Sequence, residues 1–516
     1  MNPSGHQSVL ILDYGSQYTR LIARRIREQK VFSEIHPSSM PIEEIRRLGP
    51  VGIVLSGGPD SVYDEEAQPL TREILDLGVP ILAICYGMQL LVHALGGRVS
   101  GGGKREYGDA EIDLEPGTRL FEGLSERERV WMSHGDEILE LPPGFRITGR
   151  SLPGTVAGME SAERGIHGIQ FHPEVDHTPG GARLIRNFLY GACGCTGDWT
   201  MSGFALEAVE EIRRDVGPEG RVLCGLSGGV DSTVTAVLIH RAVGDRLIPL
   251  FVDTGLLRKD EAREVLSRFA GKLHIPVRHR DASDRFLKAL AGVAEPEAKR
   301  RIIGEIFVRV FEEEALAAGE AGFLGQGTLY PDRIESSPVK GTSHTIKTHH
   351  NVGGLPERMK MRLIEPLRDL FKDEVRSLAI ELGVDEELVR RHPFPGPGLS
   401  VRIPGEITPE RVAILQEADA IFIEEIVRAG LYDRIAQAFA VLLPVRTVGV
   451  MGDVRTYENV LALRAVETAD FMTASWSRLP HELLARVSSR IVNEVRGINR
   501  VVYDISNKPP ATIEWE

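Results

Sequence analysis

The run Ser227-Gly228-Gly229-Val230-Asp231-Ser232 lies between an apolar stretch, Val222-Leu223-Cys224-Gly225-Leu226, and an amphipathic one, Thr233 to Ala242. That order predicts a strand, a glycine loop and a helix start. Adjacent glycines let the backbone approach a phosphate without Cβ interference, while the first helical N–H groups and the helix dipole face the anion. Ser227 and Ser232 add hydroxyl donors, and Asp231 is a candidate ligand for Mg²⁺ held against phosphate oxygens. The chain contains no G-x-x-x-x-G-K-[ST] motif, so no loop lysine reaches for β- and γ-phosphates. The chemistry that suits such a loop is attack at the α-phosphate of ATP, with pyrophosphate leaving into the glycines.

A second centre is built around Cys85. The apolar run Pro80-Ile81-Leu82-Ala83-Ile84 passes into Cys85-Tyr86-Gly87 and then a helix from Met88 through Ala94. A residue at such an elbow is exposed above the sheet, next to a helix N-terminus whose dipole favours a thiolate. A nucleophilic thiol needs a base and a group that orients the base. Ile169-Gln170-Phe171-His172-Pro173-Glu174 offers both, because a strand ending in His-x-Glu puts the two side chains on one side of the backbone. Cys85 then attacks, His172 moves the proton and Glu174 fixes the imidazole tautomer. Backbone N–H groups of Gly57, in Ser56-Gly57-Gly58-Pro59, and of Tyr86 are the candidate oxyanion donors.

Positioning these groups requires several sheets. At 516 residues the chain has room for about three domains. Its hydrophobic content of 42% and charged content of 26% are those of an ordinary soluble protein. No apolar run approaches the ~20 residues of a membrane helix, and Met1 to His6 lacks the shape of a signal peptide. A reducing, cytoplasmic setting follows. A net charge of −13 argues against a nucleic-acid surface as the main business, leaving room only for a local basic patch. Four cysteines are too few for a disulfide framework, and Cys193-x-Cys195 lacks a second ligand pair at zinc spacing.

Strands and helices alternate through the first ~195 residues, with strands at Ser8–Asp13, Val51–Leu55 and Pro80–Ile84, which predicts a parallel α/β sheet. A composition shift at Gly191 to Gly197 marks a linker. Beyond the glycine loop, the next strands end at Val252-Asp253 and at Gly325, where adenine and ribose have room beside the loop strand. Asp253 serves equally well as a turn former. Asp332 and Glu335 are candidates to complete a magnesium site. Between Asp332 and Arg362 the chain is long, polar and weakly periodic, either a disordered linker or a functional lid; Lys347 with His349 and His350 favours a lid over triphosphate. The tail, Ser506 to Glu516, is apolar, proline-stiffened and aromatic, which predicts that it docks.

The six-residue loop resembles that of the N-type ATP pyrophosphatases. The ordered set S-G-G-P, C-Y-G-M-Q, S-H-G-D (Ser133 to Asp136) and H-P-E resembles the class I glutamine amidotransferases, which implies glutamine hydrolysis through a γ-glutamyl thioester with Gln89, His134 and Asp136 about the substrate. With Lys299-Arg300-Arg301-Ile302-Ile303-Gly304 and the tail, the match is to the glutamine-hydrolysing GMP synthase family over the whole chain. The resemblance implies an α/β protein in three parts: an amidotransferase domain (1–197), a Rossmann-like parallel-sheet ATP pyrophosphatase domain (198–393) and a small α+β C-terminal dimerisation domain (394–516). It further implies that Arg300, Gln437, Arg500, Lys508, Ile513 and Glu514 hold xanthosine monophosphate (XMP), that ATP comes with Mg²⁺, and that the enzyme is a homodimer. Arg and Lys suit a 5′-phosphate, and Gln and Glu a purine edge.

Two other enzymes and one non-enzyme are the rivals. A tRNA-thiolating enzyme shares the loop but needs reactive cysteines and a basic face, and the central part has only Cys224, inside a strand. An amidotransferase of NAD synthesis usually carries a glutaminase without H-P-E. A regulatory glutamine sensor would have a broken triad, and this one is intact.

Overall fold

The computed structural model describes residues 5–65, 67–101, 105–317, 319, 321–336, 361–451, 453–468, 471 and 473–516, with backbone alone at 335, 336 and 451. They form two compact units, Met1–Phe204 and Ala205–Glu516. The expected boundary at 393/394 falls inside the second unit, and Lys347 lies outside the described residues.

In the first unit, nine strands form one sheet and two a small ladder. They are β1 (Ser8–Asp13), β2 (Phe32–Pro37), β3 (Gly52–Leu55), β4 (Ile81–Ile84), β5 (Arg98–Ser100), β6 (Glu106–Leu114), β7 (Arg127–His134), β8 (Glu137–Glu140), β9 (Arg146–Ser151), β10 (Val156–Ser161) and β11 (Ile166–Ile169). The large sheet runs β2-β1-β3-β4-β11-β10-β9-β6-β7, with β5 paired to β8 apart from it. From β2 to β11 the neighbours are parallel; from β11 to β7 they are antiparallel. The expected parallel sheet is therefore half of a mixed one. The reason is legible in the strands themselves: β3 and β4 are buried along their whole length, as parallel strands are, whereas Glu106–Leu114 alternates charged with small or apolar residues.

The second unit has a five-stranded parallel sheet of β12 (Val222–Leu226), β13 (Leu247–Asp253), β14 (Arg278–Asp281), β15 (Phe323–Gly325) and β16 (Arg362–Ile364). Its order, β14-β13-β12-β15-β16, leaves β12 central with β13 and β15 on either side. The loop after β12 thus opens at the point where the winding reverses, the usual place for a ligand in such a sheet. A second sheet contains β17 (Gln437–Met451), β18 (Val454–Glu467), β19 (Ser475–Trp476) and β20 (Ile498–Tyr503), with β20 parallel to β18. The Pro409–Arg428 helix, capped by Thr408 Oγ1 on Arg411 N at 3.3 Å, packs on β17. One apolar core runs from Leu223 and Leu250 to Phe422 and Leu461, so both sheets share it.

The tail docks as expected. Arg464, fully buried, donates to the carbonyls of Ile513 (2.8 Å) and Thr512 (2.9 Å), and Ile513 packs among Phe439, Val441 and Ala474. Lys299 Nζ, also fully buried, takes the Glu516 carboxylate at 2.6 Å and the Ile403 carbonyl at 2.8 Å.

Candidate active sites

Cys85 joins β4 to the Tyr86–Ala94 helix with φ 52° and ψ −111°, a costly backbone for a residue with a Cβ. This sharp turn lifts the side chain off the sheet. The helix can follow so closely because its second residue is glycine: a Cβ at Gly87 would lie 2.6 Å from the Leu55 carbonyl oxygen. The sulfur does not stand in solvent, however. Cys85 is only 4% exposed, with Sγ 3.4 Å from the Ser133 carbonyl and 3.6 Å from Gln170 Nε2. The elbow raises the thiol, and the ends of β7 and β11 roof it.

His172 and Glu174 meet by another route than a strand. β11 ends at Ile169, and Pro173 cannot extend a ladder because it has no N–H. The chain turns instead, pinned by His172 N donating to the Trp131 carbonyl (3.0 Å) and Thr178 Oγ1 donating to the His172 carbonyl (2.7 Å). The turn brings His172 Nδ1 within 2.7 Å of Glu174 Oε1. Burial acts to lower the His172 pKa, but the Glu174 charge and the hydrogen bonds to Cys85 and Glu174 outweigh it and hold the imidazole well above 6.5. Glu174 and Cys85 thus favour the protonated ring.

The remaining amidotransferase residues gather around this trio. A Cβ at Gly57 would come 3.3 Å from His172 Cε1, so the Ser56-Gly57-Gly58 backbone passes directly beside the base. Tyr86 is buried at the helix start, and burial pushes its phenol up to about 12. Gln89 Nε2 donates to the Asp136 carbonyl (3.1 Å) and to Gln170 Oε1 (3.2 Å). His134 is held between the Asp136 carbonyl (2.9 Å) and Glu106 Oε2 (3.1 Å), and Asp136 Oδ2 accepts from Ser61 Oγ at 2.6 Å. Gln170, on which both Gln89 and Cys85 converge, had no signal beyond its place next to the H-P-E run.

In the second unit the predicted strand, loop and helix are present, with the helix at Val230–Val243. Ser227 Oγ and Ser232 Oγ lie 3.0 Å apart, and Ser227 N donates to Ser232 Oγ at 3.1 Å, closing the loop on itself. Gly228 has φ 73°, a conformation glycine permits. Asp231 is met by a residue that local sequence could not reveal: Lys372 Nζ, 141 positions away, lies 2.7 and 2.6 Å from its two carboxylate oxygens. Arg391 is a second such arrival, donating to the Gly228 carbonyl at 3.0 Å.

Val252 and Asp253 end β13, and Gly325 ends β15, flanking the loop strand. Asp253 Oδ1 accepts the Gly255 N–H at 2.8 Å, the turn-forming use, and the residue also lines a cleft of about 440 Å³ with Arg258, Ser283 and Gln416. Asp332 Oδ2 accepts the Leu329 N–H at 3.2 Å at the start of a short helix. The Glu335 side chain lies outside the described residues. Among the described residues, no three His, Cys, Asp or Glu side chains gather as a metal cluster.

Of the six residues expected to hold the acceptor, the structure joins Gln437 and Glu514 directly, Nε2 to Oε1 at 2.7 Å, with Ile513 adjacent. Arg402 grips the same carboxylate at 2.8 and 3.1 Å from between the rings of Phe394 and Phe439. Lys508 Nζ donates to the Phe471 carbonyl at 2.6 Å. Arg300 pairs with Glu297 on its own helix, and Arg500 is exposed on β20. Those three are not linked to the Gln437–Glu514 pair by hydrogen bonds.

Two family models match the chain: glutamine amidotransferase class-I over residues 10–192 and the GMP synthase C terminal domain over 424–515. The glutamine-hydrolysing GMP synthase of Aromatoleum aromaticum is 55% identical over 520 residues, covering 99% of this chain and 100% of its own. The chain belongs to the glutamine-hydrolysing GMP synthases. Those of Phenylobacterium zucineum and Carboxydothermus hydrogenoformans are each 56% identical, over 99% and 98% of this chain and 99% of their own lengths. Membership places glutamine hydrolysis and GMP synthesis in one enzyme. It also disposes of the tRNA-thiolating rival, with which the structure agrees: Cys224 is buried in β12 and its thiol is pushed up to about 12 by burial.

Proposed function

We propose that the chain carries out its family's glutamine-dependent GMP synthesis as two half-reactions on separate sites. In one, Cys85 attacks the glutamine carboxamide, His172 passes its proton to the leaving ammonia, and Glu174 keeps the imidazole oriented. The resulting thioester is hydrolysed by water activated at the same ring. Gly57 and Tyr86 N–H groups stabilise the oxyanion, and Gln89, His134 and Asp136 shape the glutamine pocket. The observation that carries this half is the buried Cys85–His172–Glu174 array.

In the other half-reaction, XMP O2 attacks the ATP α-phosphate, pyrophosphate leaves into Ser227–Ser232, and ammonia then displaces AMP from the purine C2. Val252, Asp253 and Gly325 border the nucleoside, and Gln437, Ile513 and Glu514 receive the purine, with Arg300, Arg500 and Lys508 directed to the acceptor's charge. Mg²⁺ bound with ATP would neutralise phosphate charge. Asp231 suits it: a partly exposed carboxylate that attracts the Lys372 cation fits an ion that arrives with its phosphates. Asp332 and Glu335 remain candidates beside it, and Lys347 a candidate lid cation.

The apolar side chains exposed on β17, β18 and β20, Val448, Val450, Val454, Tyr457 and Val502, support a homodimer through this sheet. No described helix is long and apolar enough to cross a membrane, and the net charge of −13 disfavours nucleic acid as a partner. The adenylation half-reaction is tested with XMP labelled with ¹⁸O at O2. Adenylation delivers the label to AMP, with GMP unlabelled at C2. Label in pyrophosphate or phosphate would refute it.

A further inference from the structure

The Gly228 carbonyl is engaged by a side chain 163 positions along the chain. Arg391 Nη1 donates to that carbonyl at 3.0 Å, and its Nη2 donates to Glu261 Oε1. Glu261, at the start of the Glu261–Arg268 helix, is only 2% exposed, and its other oxygen accepts the Arg258 N–H at 2.8 Å. The guanidinium is thereby fixed from behind by a buried carboxylate that is itself fixed by backbone. Arg391 is anchored along the chain as well: His392 stacks on Tyr432 with ring centroids 3.9 Å apart, and its backbone N–H donates to Tyr432 Oη at 3.0 Å.

A trans peptide plane is rigid, so the carbonyl of Gly228 and the N–H of Gly229 point in opposite directions. Gripping the first aims the second. Without the grip, two consecutive glycines would let this plane rotate at little cost. The Gly229 N–H makes a 3.4 Å contact with Ser227 Oγ, long for a hydrogen bond, and so stays available for an anion.

We propose that Arg391, held by Glu261, is a positioning residue for ATP cleavage: it locks the Gly228–Gly229 peptide so that the Gly229 N–H points at the β-phosphate and at departing pyrophosphate. This rests on reading Ser227–Ser232 as the pyrophosphate loop. Arg391 touches no substrate; it acts through the peptide. Lysine cannot replace it, because one ammonium on a flexible stem lacks the planar fork that serves the carbonyl and the carboxylate together.

The test uses the full-length enzyme with ammonium as nitrogen source, measuring KM for ATP, KM for XMP and inhibition by inorganic pyrophosphate, with a thermal melt for each variant. For Arg391→Lys and Arg391→Met, KM for ATP and the inhibition constant of pyrophosphate should rise about tenfold or more, with KM for XMP and glutaminase activity unchanged. Glu261→Gln, which keeps an acceptor but no charge, should fall between them and the parent. Equal changes in all three constants, or a lowered melting temperature with unchanged constants, would make Arg391 structural only and overturn the proposal. Ser227→Ala is run in parallel. If it weakens pyrophosphate inhibition and Arg391→Lys does not, the clamp is wrong and the loop reading stands. If neither does, the loop reading itself has failed.

Discussion

At the cysteine centre Cys85, His172 and Glu174 are 4%, 3% and 0% exposed, whereas at the glycine loop the Asp231 and Lys372 side chains keep 30% and 44% of their exposure. The contrast follows from what each site handles. A thiol and an imidazole work through short, dry hydrogen bonds, and burial makes the Glu174 charge count for more than it would in water. A triphosphate would enter the proposed loop site with its counter-ion and leave in two pieces, which suits an open site whose preorganisation would lie in backbone held from behind.

The widest separation between the two centres is expected from Cys85→Ala. Removing the nucleophile should cut glutamine-dependent GMP formation by about 10⁴-fold or more. Synthesis from ammonium should stay within about twofold of the parent. Both nitrogen sources are assayed on the same preparation, and parallel loss in a protein with an unchanged melt would mean the centres are not separable.

Asp231→Asn should show the reverse pattern. Loss of a carboxylate that would hold the charge-neutralising Mg²⁺ is worth several kcal/mol, or roughly 10²- to 10³-fold in adenylation, whichever nitrogen source is supplied. Glutamate release by the Cys85 site should continue. The structure adds a control, because Asp231→Asn also frees Lys372; Lys372→Met should weaken ATP use without mimicking the metal dependence of the aspartate variant. Identical Mg²⁺ titrations for the two variants would argue that the pair, not the carboxylate, is what matters.

How much of this was legible in the sequence divides along the same line. The thiol centre was readable because its members lie in short motifs: C-Y-G, S-H-G-D and H-P-E each place a side chain by local backbone alone. Even there the route was misread, since proline makes His172 and Glu174 meet in a turn and not along a strand, and the thiol's burial depended on Ser133 and Gln170 arriving from other strands. The loop centre was readable only in its contiguous half. Lys372 and Arg391 are 141 and 163 residues from their partners Asp231 and Gly228, and no periodicity or spacing links them. The mixed sheet was missed for a related reason: alternation in β6 gives direction of exposure, not which strand will be its neighbour.

A smaller effect should separate Lys508 from Glu514. The Lys508 ammonium donates to the Phe471 carbonyl and to no acidic side chain among the described residues, so Lys508→Ala should raise the KM for XMP about ten- to a hundredfold, the worth of one charge-assisted contact, and leave the KM values for ATP and glutamine alone. Glu514 neutralises the buried Arg402, so Glu514→Ala should lower the melting temperature as well, because it strands a buried charge. If Lys508→Ala also melts early, the tail is one structural unit and the acceptor assignment loses its support.

The subtlest difference concerns pH. The folded-state pKa of His172 is raised, against the effect of burial, by Glu174 and Cys85, so folding favours the protonated ring. Linkage then gives the sign: the stabilisation is fully present below the unfolded value of about 6.5 and is lost as pH rises through the higher folded value. His172→Gln should therefore be less stable than the parent by a margin that is widest near pH 6 and narrows toward pH 9. Denaturant melts of both proteins across that range measure the margin. No comparable slope is expected from Lys372→Met, which leaves the His172–Glu174 pair untouched. A margin for His172→Gln that stays constant with pH would mean that folding does not raise the imidazole pKa and that Glu174 orients the ring without charging it.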